Sequence, residues 1–110
     1  MTRDIEFQLR LARVLEQNYQ CSTFDVGRMA VELALSERQL QRRVRRSTGQ
    51  TPMKALCLYR LSRSRDILES GSAVGETAAK VGFSSHAYFT RCFKSQFGVV
   101  PSSWRPDTRK

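Results

Sequence analysis

Two stretches of this chain run in register with each other. Leu40-Gln41-Arg42-Arg43-Val44-Arg45 and Phe89-Thr90-Arg91-Cys92-Phe93-Lys94 share the order apolar, polar, Arg, any residue, apolar, basic. Gly49 and Pro52 follow Leu40 by nine and twelve positions, and Gly98 and Pro101 follow Phe89 by the same nine and twelve. Upstream, Ala30, Leu33, Ala34, Leu35 and Ser36 correspond to Ala78, Val81, Gly82, Phe83 and Ser84, the second copy having one more residue in its turn or cap. A chain that repeats itself in this way is expected to build one supersecondary unit twice.

The unit is helical. Ala, Leu, Arg, Gln and Glu dominate and are good helix formers, while strand patterns are few. The expected fold is all-α, with about seven helices. Residues 4–19 place Phe7, Leu11, Val14 and Leu15 on one stripe. Asp25 is a cap for a helix with Val26, Met29, Ala30 and Leu33 inward. Ser36-Glu37-Arg38-Gln39 has the capping-box form and opens a helix to about Arg46 that turns Leu40 and Val44 inward, with Thr48-Gly49 ending it. Pro52 suits the first turn of a long helix over 52–69, with Met53, Leu56, Cys57, Arg60, Leu61, Ser64, Ile67 and Leu68 along one stripe and Gly71 as the stop. A short helix over 72–80 capped by Ser72, a Gly82-Phe83-Ser84 turn, and a helix over 85–96 with Phe89, Phe93 and Phe97 buried follow. Gly98 ends that helix, Pro101 starts a last short one carrying Trp104, and the tail over 106–110 reads as frayed.

Each unit is therefore a short helix, a tight turn and a longer helix, which describes a helix-turn-helix. Ala34 and Gly82 at the bends, with Ala30 and Ala78 at the crossings, are small enough for close helix approach. The expected organisation is a first helix-turn-helix subdomain over 5–50, a linking helix over 52–69, a second subdomain over 72–105 and a tail over 106–110.

Charge follows the same plan. The chain carries 19 Lys and Arg against 10 Asp and Glu, a net charge of +9, which points to a polyanionic partner. Residues 1–35 hold four basic and five acidic side chains, whereas 36–66 hold nine and two. A solvated basic face would account for one such run, but it does not account for charge on the second helix of both repeats.

A helix-turn-helix lays its second helix in the DNA major groove, with the N-terminal residues at the base edges. With Leu40 and Val44 inward, Arg38, Gln41, Arg42 and Arg45 face the groove. Arg can bond guanine O6 and N7 in a bidentate way, and Gln can bond adenine N6 and N7. With Phe89 and Phe93 inward, His86, Ala87, Thr90 and Arg91 face out. Thr and Ala suit the thymine methyl, and Arg91 reads guanine or braces a phosphate. Ser36, Arg43, Arg46, Ser85 and Lys94 are phosphate candidates. Glu37 either reads cytosine N4 or favours its own helix N-terminus. A linking helix of about 18 residues is roughly 27 Å long. It can hold two reading helices about one DNA turn, ~34 Å, apart. If rigid, it requires the duplex to bend or leaves only one unit fully bound.

The run from Gly82 through Ser85-His86-Ala87-Tyr88-Phe89-Thr90-Arg91-Cys92-Phe93-Lys94, then Phe97-Gly98, Pro101 and Trp104-Arg105, resembles the C-terminal signature of AraC/XylS-type transcription regulators. Ser36 to Pro52 and the helix with Arg60-Leu61 look like that family's first unit and connector. The resemblance covers about residues 5–105. It implies a seven-helix domain with two helix-turn-helix subdomains, promoter DNA as ligand and RNA polymerase as a further partner. By position it places the family's base readers on Arg38, Gln41 and Arg42, and on His86, Ala87, Thr90 and Arg91. Two residues depart from the pattern. Thr77 stands where a branched aliphatic is usual, and Trp104 where Tyr is common. Most members carry a separate sensor or effector domain, for which this chain has no room. The chain is thus read as a fragment of a longer regulator, such as a hybrid sensor kinase, or as a short stand-alone member.

Cys21, Cys57 and Cys92 are widely spaced, form no CxxC and are read as reduced, buried thiols, which fits a cytoplasmic protein. No apolar run approaches the ~20 residues of a membrane span, so no membrane contact is expected of this segment, and the N-terminus has no signal-peptide core. Two other function classes were weighed. RNA readers present aromatics for stacking, whereas Phe83, Phe89, Phe93, Phe97 and Trp104 fall on core positions here. A cysteine methyl acceptor needs an activated thiolate, often on a metal, and three scattered Cys with one His do not supply it. No enzyme, metal or cofactor is expected. His86, with no partner ligands nearby in sequence, is read as a groove or surface residue.

Overall fold

A computed structural model describes residues 2–104. It contains α1 (Thr2–Asn18), α2 (Val26–Glu32), α3 (Glu37–Thr48), α4 (Pro52–Glu69), α5 (Val74–Lys80), α6 (His86–Phe97) and a 3₁₀ turn (Pro101–Ser103), with no strand among the described residues. The fold is all-α, as expected. Arg105 and the tail over 106–110 lie outside the described residues. The chain divides into two compact units, with α4 contributing its residues 52–58 to the first and 59–69 to the second.

In the first unit α1 buries Phe7, Leu11, Val14 and Leu15, the stripe that the sequence marks. Met29, Ala30 and Leu33 of the α2 region, Leu40 and Val44 of α3, and Leu56 of α4 complete this unit's core. Polar pairs hold α1 in place. Gln8 Nε2 donates to the Ser47 carbonyl at 3.0 Å, and Arg10 donates to the Leu33 carbonyl at 3.1 Å. The Arg43 guanidinium lies 4.5 Å from the Phe7 ring centroid. Both helix starts are capped as read: Asp25 accepts from Arg28 N at 2.9 Å, and Ser36 and Gln39 bond reciprocally at 3.1 and 2.9 Å. Each such cap is worth ~1 kcal/mol.

The second unit is built on aromatic rings. Phe89 and Phe93 are fully buried and meet edge to face at 5.7 Å. Phe83 stacks on Phe89 at 5.1 Å, while Phe97 and Trp104 flank Phe93 at 4.6 and 5.8 Å. Phe97 is only half-buried, with Arg65 over its ring at 4.8 Å. Trp104 follows the 3₁₀ turn instead of sitting in a helix, and its indole N–H donates to Glu69 at 3.1 Å. Thr77, at the aliphatic position, is fully buried with its hydroxyl donating to the Ala73 carbonyl at 2.8 Å. Its polar atom is thereby satisfied.

Two sequence expectations about α4 and α5, at Met53 and Ser72, change. Met53 was placed on the buried stripe but is 45% exposed. Arg60 lies on the stripe and is buried at 7% exposure; its guanidinium donates to the Cys21 carbonyl at 2.9 Å and lies 6.0 Å from the Phe83 ring. Ser72 does not cap α5, which starts at Val74 behind Ala73 with no side-chain cap bond. The backbone explains this last point. Gly71 (φ +99°) donates to Leu68 O at 3.0 Å and Ser72 N donates to Ile67 O at 3.4 Å, so Ser72 belongs to the Schellman stop of α4.

The same closure makes both helix-turn-helix bends. Ala34 donates to Val31 O and Leu35 to Ala30 O; Gly82 donates to Ala79 O and Phe83 to Ala78 O. Ala34 stands at φ +58° and Gly82 at φ +96°. Left-handed backbone at both bends favours glycine, so Gly82 adopts it freely while Ala34 carries its cost. An L-residue there costs roughly 1–2 kcal/mol. Gly82→Ala is therefore expected to lose about 1 kcal/mol or more. Ala34→Gly is expected to gain up to about 1 kcal/mol, less the added unfolded-chain entropy. Thermal unfolding followed by circular dichroism reads both, and equal shifts of the same sign would contradict the account.

Candidate nucleic-acid interface

Burial of two residues sets the rotation of each second helix. In α3, Leu40 and Val44 are both at 0% exposure. Residues three and four apart share a helix face, so the opposite face is presented outward. Arg38, Gln41, Arg42 and Arg45 are all exposed on it. In α6, Phe89 and Phe93 play the same part, leaving His86, Ala87 and Arg91 exposed and Thr90 half-buried. Seven of the eight base-reading candidates are thus exposed and Thr90 is half-buried, in two groups of four within separate units.

The phosphate candidates are more varied. Ser36 and Ser85 are exposed, but each hydroxyl already accepts an N-cap bond, from Gln39 N and Tyr88 N respectively. Their backbone positions are the N-caps of α3 and α6. Arg46 and Lys94 are exposed, whereas Arg43 is half-buried against Phe7. Glu37 turns towards the first turn of α2: a Cβ added at Gly27 would stand 3.3 Å from its Oε2. That places its carboxylate by a helix N-terminus, where negative charge is favoured.

A family model described as a helix-turn-helix domain matches residues 29–107. The chain belongs to that family. It is of the AraC type. It is 31% identical to the DNA-binding domain of AdpA, a global transcriptional factor solved in complex with a target DNA; the match covers 86% of this chain and 88% of that one, with a TM-score of 0.78. A Chromobacterium violaceum transcriptional regulator, described as an AraC-type DNA-binding domain-containing protein, has the same fold at 24% identity and TM-score 0.78, over 86% of this chain and 84% of that one. Histidine kinase P4 of Formosa agariphila is 30% identical over 84% of this chain and 7% of the kinase. The chain spans only 7% and 26% of the first curated relatives it matches.

Within this AraC-type domain, His86 stands beside α5, its Nδ1 lying 3.9 Å from where a Cβ at Gly75 would sit. Among the described residues no three His, Cys, Asp or Glu side chains gather as a metal would require, and no helix is long and apolar enough to cross a membrane. The cysteines correct one expectation. Cys21 is exposed in the segment after α1, and Cys57 and Cys92 are half-buried, so none is a fully buried thiol. Tyr88 of α6, to which the sequence assigned no role, is 48% exposed and carries the Arg91 guanidinium 5.7 Å from its ring centroid.

Proposed function

We propose that this chain binds double-stranded DNA in a sequence-specific manner and serves transcription regulation, each unit laying its second helix in a major-groove segment. The observation that carries this reading is the shared setting of α3 and α6. A fully buried pair on one side leaves Arg38, Gln41, Arg42 and Arg45, or Ala87, Thr90 and Arg91, turned away from it, with His86 exposed at the start of α6. Those side chains supply bidentate donors for guanine, an amide for adenine, and methyl contacts for thymine. Arg46, Lys94 and the backbone at Ser36 and Ser85 brace phosphates, with Arg43 lending charge from its seat on Phe7. The AdpA domain, similar to this chain, was solved on its target DNA, which supports the reading.

The chain acts as a binding module in the cytoplasm and performs no chemistry of its own. It is the output segment of a longer regulator, with a sensor or effector domain elsewhere and RNA polymerase as a further partner. Its match to a small part of a histidine kinase favours that arrangement over a stand-alone regulator.

Selection from a random duplex library, followed by fluorescence anisotropy on the winner and a scrambled control across a salt series, tests the proposal. Two enriched half-sites ~10 bp apart are expected. The selected duplex should bind about 10³-fold or more tighter than the control. A steep salt slope with no enriched sequence would instead mean binding driven by charge alone.

A further inference from the structure

The two reading helices start alike and then diverge at one position. Ser36 and Ser85 each accept a bond from the backbone N–H three residues on, both at 3.1 Å. In α3 that third residue is Gln39, whose side chain returns a bond to Ser36 N at 2.9 Å and completes the capping box. In α6 it is Tyr88, whose hydroxyl stands at the far end of a rigid ring and cannot return to its own cap. The second unit gives up half of the box at this position, and the ring placed there is 48% exposed.

What the ring does instead is visible in its neighbours. On its core side it lies 6.0 Å from Phe83, which is buried and stacks in turn on Phe89. On its outer side it carries Arg91, three residues on along the same helix. An arginine held over a ring face by its charge can still offer its planar, pre-organised fork of donors to a bidentate contact. We infer that Tyr88 is a positioning residue for base recognition: its ring presets the Arg91 guanidinium before DNA arrives, so discrimination at the base pair that Arg91 reads depends on the aromatic face. This rests on the DNA-reading proposal above and names a specificity determinant within it.

Three variants, Tyr88→Phe, Tyr88→Gln and Arg91→Ala, are measured by anisotropy on the selected duplex and its single-base variants, with thermal unfolding alongside. Tyr88→Phe is expected to match the parent. Tyr88→Gln restores the capping residue, so it should hold or raise the melting temperature. It should nevertheless lose about two- to fivefold of discrimination, the range of an exposed cation–π contact. That loss should fall on the same base pair that Arg91→Ala relaxes, and it should vanish when Tyr88→Gln is made on top of Arg91→Ala. If Tyr88→Gln unfolds, Tyr88→Leu carries the same comparison. Full discrimination in Tyr88→Gln, a loss spread evenly over the site, or a loss that persists without Arg91 would each overturn the positioning role while leaving DNA reading intact. A parent protein that selects no sequence would overturn the reading itself, and this role with it.

Discussion

Phe93→Ala is expected to cost about 3–5 kcal/mol of stability, the largest loss of any single substitution considered. Phe93 is at 0% exposure and touches three other rings, Phe89, Phe97 and Trp104, at 5.7, 4.6 and 5.8 Å. Truncation removes its transfer energy and leaves a cavity that rigid neighbours cannot collapse to fill. Edge-to-face pairs add about 0.5–1.5 kcal/mol each beyond burial. Against a total of roughly 5–15 kcal/mol for a small domain, this consumes a large share of what holds the second unit together. The repeat supplies an internal control. Val44 occupies the corresponding place in α3 and is equally buried, yet a smaller side chain leaves a smaller cavity, so Val44→Ala should cost about 2 kcal/mol. Urea unfolding followed at once by helical circular dichroism and by Trp104 fluorescence reads the second unit directly, since the chain's one tryptophan packs on Phe93. A loss below about 1 kcal/mol for Phe93→Ala would mean that the ring cluster is not the core it looks to be.

Features of this fold that depend on near neighbours could be read from the chain. Leu40 with Val44 and Phe89 with Phe93 are one helical turn apart, so burial of one implies burial of the other. The Asp25 cap and the Ser36–Gln39 box close over three residues, and Gly49 and Gly98 end their helices in left-handed backbone as their positions suggest. What could not be read shares the opposite property. Arg60 falls on the α4 stripe in the sequence, but the partner that its burial requires, the carbonyl of Cys21, is 39 residues away. A single stripe drawn along α4 assumes one buried face throughout, but the two ends of that helix belong to different units, and Met53 falls outside both cores. Ser72 has the right side chain for a cap, but the stop of α4 sets the start of α5 at Val74 and leaves Ala73 at the cap position.

The reading face was legible to the extent that it is the complement of the buried stripe. Arg38, Gln41, Arg42, Arg45, Ala87 and Arg91 are exposed for the same reason that the inward residues are not, while His86 is exposed as the first residue of α6. Thr90 is half-buried because it lies nearer the edge of that stripe. Tyr88 escaped notice because its aromatic type suggests core, and only its exposure and its contact with Arg91 separate it from the rings behind it.

Arg42→Ala and Arg91→Ala are each expected to lose about 1–3 kcal/mol of discrimination between the selected duplex and its single-base variants, the worth of a bidentate base contact. In affinity ratio this is roughly 5- to 150-fold, concentrated at one base pair for each residue. The two occupy the same place in the repeat, two residues past the first inward position of their helix, and both are exposed. Arg46→Ala is the contrasting substitution. It sits in the last turn of α3, away from the end that enters the groove, so its loss should weaken all sequences alike and lower the salt slope by about one. Arg43→Ala should behave differently again, because its guanidinium is seated on Phe7 and part of the effect will appear as lost folding stability. Anisotropy titrations of the four proteins against matched and mismatched duplexes at several salt concentrations separate these outcomes. If Arg42→Ala weakened every duplex by the same factor, Arg42 would be a phosphate contact. The first unit's base recognition would then fall to Arg38, Gln41 and Arg45, the remaining outward side chains of α3.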